Sequence, residues 1–196
     1  MVRPIAETRA DFETVRRAQR GDQAAFEALV LAHQTRVFNY AFRLLGDRSL
    51  AEDVTQEVFL RVFQALPTFA FRCRFTTWLF QVTKNRVLDE LQAIDRRPRH
   101  LVELDEVPSL DLVDARFERR ETVAEVWQAI DGLSTDLKMP LLLRDVVGLS
   151  YPEIAVTLEI TLPTVKWRIF HARETVALTL AHEEVAGDEL GSLIPA

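Results

Sequence analysis

The chain carries one cysteine, Cys73, in 196 residues. It can therefore form no internal disulfide and no cysteine-built zinc cage. Its four histidines, His33, His100, His171 and His182, are scattered without metal-ligand spacing on one helix, so neither a metal nor a cofactor is expected. Glycine (6) and proline (8) are scarce, which favours long helices over a turn-rich β architecture. The opening MVRPIAETRADFE has no apolar core of a secretion signal. No uncharged apolar run approaches the roughly 18 residues that span a bilayer. These absences make the cytoplasm the expected address, with no membrane insertion. Paired carboxylates, a nucleophile–base set and a phosphate loop are also missing, so no catalytic residue is assigned and an enzyme is not expected.

What is present is ordinary for a folded protein: 48% hydrophobic and 28% charged residues. The length suits one medium domain or two small ones. A net charge of −6 is unusual for a protein that holds DNA unaided. The charge is segregated, however. Between Arg72 and Arg99, seven basic residues (Arg72, Arg74, Lys84, Arg86, Arg96, Arg97, Arg99) face three acids (Asp89, Glu90, Asp95). Acid gathers in Glu103–Asp114 and Glu183–Glu189. That layout suits local contact with nucleic acid while a larger partner supplies most of the phosphate attraction.

Every element reads as helical, and the expected class is all-α: two small helical domains joined by a flexible linker. In the first, residues 12–95, apolar residues from Phe26 to Leu44 recur at helical spacing, predicting a helix over Asp22–Leu45. Ser49 and Glu52 have capping-box spacing and open a second helix, which reaches Leu66 before Pro67. A loop, Pro67–Arg74, precedes a helix from about Thr76 to Ile94. Residues 96–117 read as a linker. The second domain, 118–184, has a helix ending at Gly132 and another over Thr135–Val147 ending at Gly148. Pro140 should kink that helix or delay its start. Residues 185–196 are a tail, expected to fray from Gly187.

Leu149–Arg173 has helix-turn-helix spacing. Ser150 and Glu153 form a capping box, Tyr151–Leu158 is a short helix, and Glu159-Ile160-Thr161 is a turn whose Thr161 caps a helix from Leu162 to about Leu180. Ile154, Ala155 and Leu158 should meet Val165, Ile169, Ala172 and Val176. The opposite face carries Pro163, Thr164, Trp167, Phe170, His171 and Glu174, flanked by Lys166, Arg168 and Arg173. In this motif the second helix lies in the major groove. Thr164, Trp167 and His171 are placed for base edges, and Lys166, Arg168 and Arg173 for phosphates. A purely solvated face has little use for outward Trp and Phe.

With both halves in view, the chain resembles the extracytoplasmic-function (ECF) sigma factors of the sigma-70 family. GDQAAFEALVLAHQTRVFNYAFRLLGD with AEDVTQEVFLRVFQAL is similar to the opening of region 2. FRCRFTTWLFQVTKNRVLDEL is similar to its promoter-melting part, and GLSYPEIAVTLEITLPTVKWRIFHARE to region 4. The resemblance implies an initiation factor that binds bacterial core RNA polymerase, reads −35 and −10 promoter elements and promotes melting. It implies that Asp53, Gln56, Glu57, Leu60 and Phe63 dock on the clamp of the largest polymerase subunit, with region 4 reaching the flap of the second largest. Leu60 and Phe63 could instead belong to a larger core. Phe69, Phe71, Arg72, Arg74, Lys84, Asn85 and Arg86 become candidates for −10 DNA, capturing an unstacked base. Thr164, Lys166, Trp167, Arg168, Phe170, His171 and Arg173 become candidates for −35 duplex DNA. Trp78, Leu79 and Cys73 read as structural. Many members are held by an anti-sigma partner, which exposed Leu60, Phe63, Trp167 and Phe170 would suit.

The chain departs from the family pattern at Glu159 and Pro163, where glycine is usual, and at Trp167, where serine is common. Ser134 replaces a common proline and Pro140 is unexpected. Trp167 could contact thymine methyl groups or obstruct the usual groove fit. The rival reading is a stand-alone helix-turn-helix regulator that binds duplex DNA without polymerase. The acidic net charge and the segment from Phe69 to Asn85 speak against it.

Overall fold

The computed structural model describes residues 9–96 and 120–191, with side chains described within 12–96 and 123–181. Eight α-helices run in the order α1 (Arg9–Gln19), α2 (Gln23–Leu45), α3 (Arg48–Ala65), α4 (Phe75–Arg96), α5 (Arg120–Asp131), α6 (Thr135–Leu142), α7 (Tyr151–Leu158) and α8 (Leu162–Gly191). No strand occurs among the described residues, in keeping with the all-α class. The linker expected at 96–117 lies outside the described residues except for Arg96, as does Glu103–Asp114.

Local chemistry sets most helix ends. The Asp22 carboxylate accepts from the Ala25 amide at 3.0 Å and caps α2, and Gly46 closes it at φ 71°. The second helix starts differently from expectation. Asp47, not Ser49, is its cap, accepting from the Leu50 amide at 2.9 Å, while Glu52 pairs with Arg48. Asp caps as well as Ser does, and with Arg48 already helical, Ser49 cannot take the extended cap conformation. Pro140 does not delay α6, which begins at Thr135. Instead the helix widens just beyond it into a π-helical turn, Leu143–Val147, closed by Gly148 at φ 88°. Proline lacks the N–H that a regular turn would use. The tail expected to fray is helical backbone as far as Gly191.

In the N-terminal unit, α2, α3 and α4 enclose Val37, Tyr40, Ala41, Val54, Val58, Val62, Leu79, Phe80 and Val87, all fully buried. Tyr40 and Phe80 meet edge to face at 5.7 Å. Helix α1 was not expected from periodicity; its Val15 and Ala18 pack on this core. The C-terminal unit closes around Leu142, Leu143, Ile154, Val165, Ile169 and Ala172.

The two units are packed together rather than strung apart. One contiguous apolar cluster runs from α2 and α4 into α6, α7 and α8. Arg43 of α2 is buried at this junction, its guanidinium 3.7 Å from the Trp127 ring centroid and 3.5 Å from Asp131. Burial lowers the Arg43 pKa and raises that of Asp131, because the interior penalises both charged forms.

Candidate functional site

Three faces carry the residues singled out from sequence. On α3, Ala51, Val54, Val58 and Val62 point inward and are buried, as expected. Leu60 and Phe63 are each 56% exposed, so the larger-core alternative does not hold. Phe26 of α2 meets the Phe63 ring edge-on at 5.0 Å and widens the apolar surface. Asp53 and Gln56 are exposed beside it. Glu57 is engaged: it pairs with Arg61 at 2.6 Å and with Arg86. Hydrogen bonds from Arg86 first, then Arg61, hold its carboxyl below the usual range.

On the loop before α4 and on α4 itself, the seven −10 candidates separate by burial. Arg72, Arg74 and Asn85 are exposed and Phe71 is half-buried. Phe69 is 7% exposed, stacked against Trp78 at 4.8 Å, so it supports the loop from beneath. Arg86 is enclosed between Glu57 and Glu90, at 2.7 Å from the latter. Burial alone would lower its pKa, but these two carboxylates outweigh that and raise it. In this state Arg86 ties α4 to α3, its Nε on Glu57 and its Nη2 on Glu90. The Lys84 side chain is only 9% exposed, and its ammonium donates to Glu159 at 2.9 Å.

Glu159 belongs to the turn between α7 and α8, so that ion pair crosses between units. Its neighbours do the same. Gln81 donates to the Val156 carbonyl at 3.1 Å, Thr77 lies 3.4 Å from Glu153, and Arg74 is 3.3 Å from the same carboxylate. Together they seat α7 along α4. Glu159 takes φ 58°, a left-handed conformation that suits glycine. The Lys84 hydrogen bond depresses its carboxyl pKa. Sequence periodicity could not find this pairing, because the partners are 75 positions apart.

The third face is the helix-turn-helix. Ser150 and Glu153 make the expected capping box, with the Ser150 amide donating to Glu153 at 2.8 Å. The Thr161 hydroxyl accepts from the Thr164 amide at 3.3 Å and starts α8. Val165 and Ile169 share the buried cluster of Ile154, while Ala172, with Val176 beside it, packs instead with Leu133 and Leu141; Trp167 is left 57% and Phe170 64% exposed. His171 packs on Trp167 at 4.4 Å and sits 3.1 Å from Glu174. Thr164 is partly covered. Arg168 pairs with Asp136 at 3.1 Å, and Arg173 chelates Asp145 at 2.8 and 3.1 Å. Lys166 is exposed and, among the described residues, joins no ion pair. Among the described residues there is no cluster suited to a metal ion, and no helix long and apolar enough to cross a membrane.

Comparison with known proteins agrees with this layout. Residues 29–97 match the family Sigma-70 region 2, and residues 124–176 match Sigma-70, region 4. The RNA polymerase sigma-H factor of Pseudomonas aeruginosa is 35% identical, across 85% of this chain and 91% of its own length. The ECF RNA polymerase sigma-E factor of Escherichia coli K12 is 34% identical, across 88% of this chain and 95% of its own. The solved structure of CnrH in complex with the cytosolic domain of CnrY superimposes with a TM-score of 0.66 at 28% identity, covering 88% of this chain and 98% of that one. The sigma factor RpoE of Bartonella quintana, solved with the anti-sigma factor NepR, shares the fold (TM-score 0.62, 21% identity, 80% and 96% covered). Two matched regions in the right order, each on its own helical unit, and relatives aligned over nearly their whole length place this chain among the ECF sigma factors of the sigma-70 family.

Proposed function

We propose a division of labour across the three faces of this initiation factor. Sigma factors are non-enzymatic subunits that direct RNA polymerase to promoters. Here α3 would dock on the clamp of the largest polymerase subunit through Asp53, Gln56, Leu60 and Phe63, while the C-terminal unit meets the flap of the second largest. The loop before α4, with Phe71, Arg72, Arg74 and Asn85, would take the melted −10 strand. The outward face of α8 would read the −35 duplex, with Lys166 on phosphate and Trp167 and His171 toward the bases. The protein would act in the cytoplasm, where its polymerase is.

The observation that carries this reading is the exposed Leu60–Phe63 pair beside Asp53 and Gln56. Two large apolar side chains with a polar surround, on a helix whose other face is core, have the make-up of a protein interface. Because Lys84 is covered by Glu159, the closed form must open for Lys84 to reach a phosphate. An anti-sigma partner covering Leu60, Phe63, Trp167 and Phe170 would hold the protein inactive, and the complexes solved for CnrH and RpoE make such a partner reasonable here. The test mixes the purified chain with bacterial core polymerase and promoter-containing DNA. Co-elution with promoter-specific transcripts is the expected result. Duplex binding without co-elution would replace this reading with the stand-alone regulator.

A further inference from the structure

Helix α1 has no part in the reading above, and it precedes residue 29, where the region 2 match begins. Yet it grips the −10 loop by its backbone. The Gln19 side-chain amide donates to two carbonyls of that segment, Leu66 at 3.0 Å and Phe69 at 2.7 Å. Just beyond, Phe71 stands at φ 53°, a left-handed conformation rare for a bulky residue. Strain of this kind persists where the surroundings over-determine it, and it clusters at functional sites.

The rings around Phe71 form a series from core to solvent. Phe69 is buried on Trp78, Phe71 lies 4.8 Å above Phe69, and Phe12 of α1 lies 4.8 Å beyond Phe71. The Arg16 guanidinium sits 4.9 Å from the Phe12 centroid and 5.8 Å from that of Phe71. Phe12 is 41% exposed, and Arg16 and Arg72 are exposed. Phe71 leans partly on the core over Phe69, Phe75 and Trp78, but Phe12, 41% exposed, lies outside it. Aromatic faces topped by one arginine and bordered by another match a flat π-system with an anionic backbone attached. A single-stranded nucleotide has that chemistry.

We infer that α1 is part of the −10 apparatus: Gln19 sets the loop, Phe12, Phe71 and Arg16 form the seat for one unstacked base of the melted strand, and Arg72 holds its phosphate. This rests on the −10 reading of the loop. The test reconstitutes holoenzyme with the full chain and titrates a fluorescent single-stranded −10 oligonucleotide. Phe71→Gly suits it, because glycine takes φ 53° freely and removes only the ring. Arg16→Ala changes a surface side chain. Each should weaken oligonucleotide binding about fivefold or more with polymerase affinity unchanged, and Arg16→Ala should leave the thermal midpoint of the free chain in place. Wild-type binding by both variants, alongside weakened binding by Asn85→Ala, would overturn the role of α1 and leave the −10 reading standing. Wild-type binding by Asn85→Ala and Arg72→Ala as well would remove the −10 reading and the inference with it. A lowered midpoint with unchanged binding would make α1 a purely structural strap, which also overturns the proposal.

Discussion

The two units present the helices proposed for DNA contact in opposite ways. On the C-terminal unit, α8 turns Lys166, Trp167 and Phe170 outward, where each is exposed. On the N-terminal unit, α4 has its central cation covered: Lys84 lies under the helix-turn-helix turn and is neutralised by Glu159. The same motif therefore leaves one proposed DNA surface exposed and covers part of the other, because α7 packs on α4 while the outward residues of α8 face solvent. The Glu159 carboxylate, 2.9 Å from the Lys84 ammonium, occupies the position proposed for a phosphate.

The largest effect should come from removing what both units depend on, attachment to polymerase. Leu60→Asp with Phe63→Asp should cut core polymerase affinity roughly 30-fold or more, the scale of a lost interface hot spot, with little change in fold because both side chains already meet solvent. Titration against labelled core polymerase checks it; unchanged affinity would move the docking face elsewhere.

Next in size is a test of which α4 cations are free. Arg86→Ala should lower stability by about 1–3 kcal/mol, since it leaves the mostly buried Glu90 without its partner and Glu57 with Arg61 alone. Denaturant unfolding measures this. A phosphate-binding role would instead leave stability intact and weaken only promoter binding.

Lys166→Ala probes the open surface. It should weaken promoter binding evenly across sequences and reduce the slope of log affinity against log salt by about one, with polymerase binding unchanged. An equal loss of both would remove its phosphate role.

The smallest effect is at the latch. Glu159→Gln keeps the turn's shape, removes the charge and should shift the closed form toward the open one, read by energy transfer between dyes on the two units. The wild type should show the matching pH dependence. Glu159 is held below its ordinary value of 4.5 by Lys84, so its contribution to closure is complete above that value and fades as pH falls through the depressed one. The difference between wild type and Glu159→Gln should vanish there. A difference persisting at low pH would mean that the ion pair does not hold the units together.

Much of the helical layout was legible from spacing alone. The inward stripe Val54, Val58 and Val62, the boundaries of α7, and the buried set Ile154, Val165 and Ile169 all follow from a 3.6-residue period, since burial on one face imposes that period on the chain. Asp47 was missed because Ser49 and Glu52 offered a rival cap pattern two residues later. The left-handed turn at Glu159 was visible only as a departure from the family's glycine. Phe69, Lys84 and Arg86 were assigned to −10 DNA from the resemblance and their side-chain chemistry; residue type does not reveal that Trp78 packs on Phe69, Glu159 pairs with Lys84, or Glu57 and Glu90 engage Arg86.

By itself the sequence determined the all-α class, the order of the helices, the helix-turn-helix and the family, because these rest on local propensity, capping and short-range periodicity. The tertiary structure alone decided that Arg43 meets Trp127, that Gln19 holds the loop at Phe69, and that Glu159 closes on Lys84. Those pairings join residues about 50 to 90 positions apart, and no local period specifies them; they come from tertiary packing, within the N-terminal unit for Gln19 and between the units for the other two.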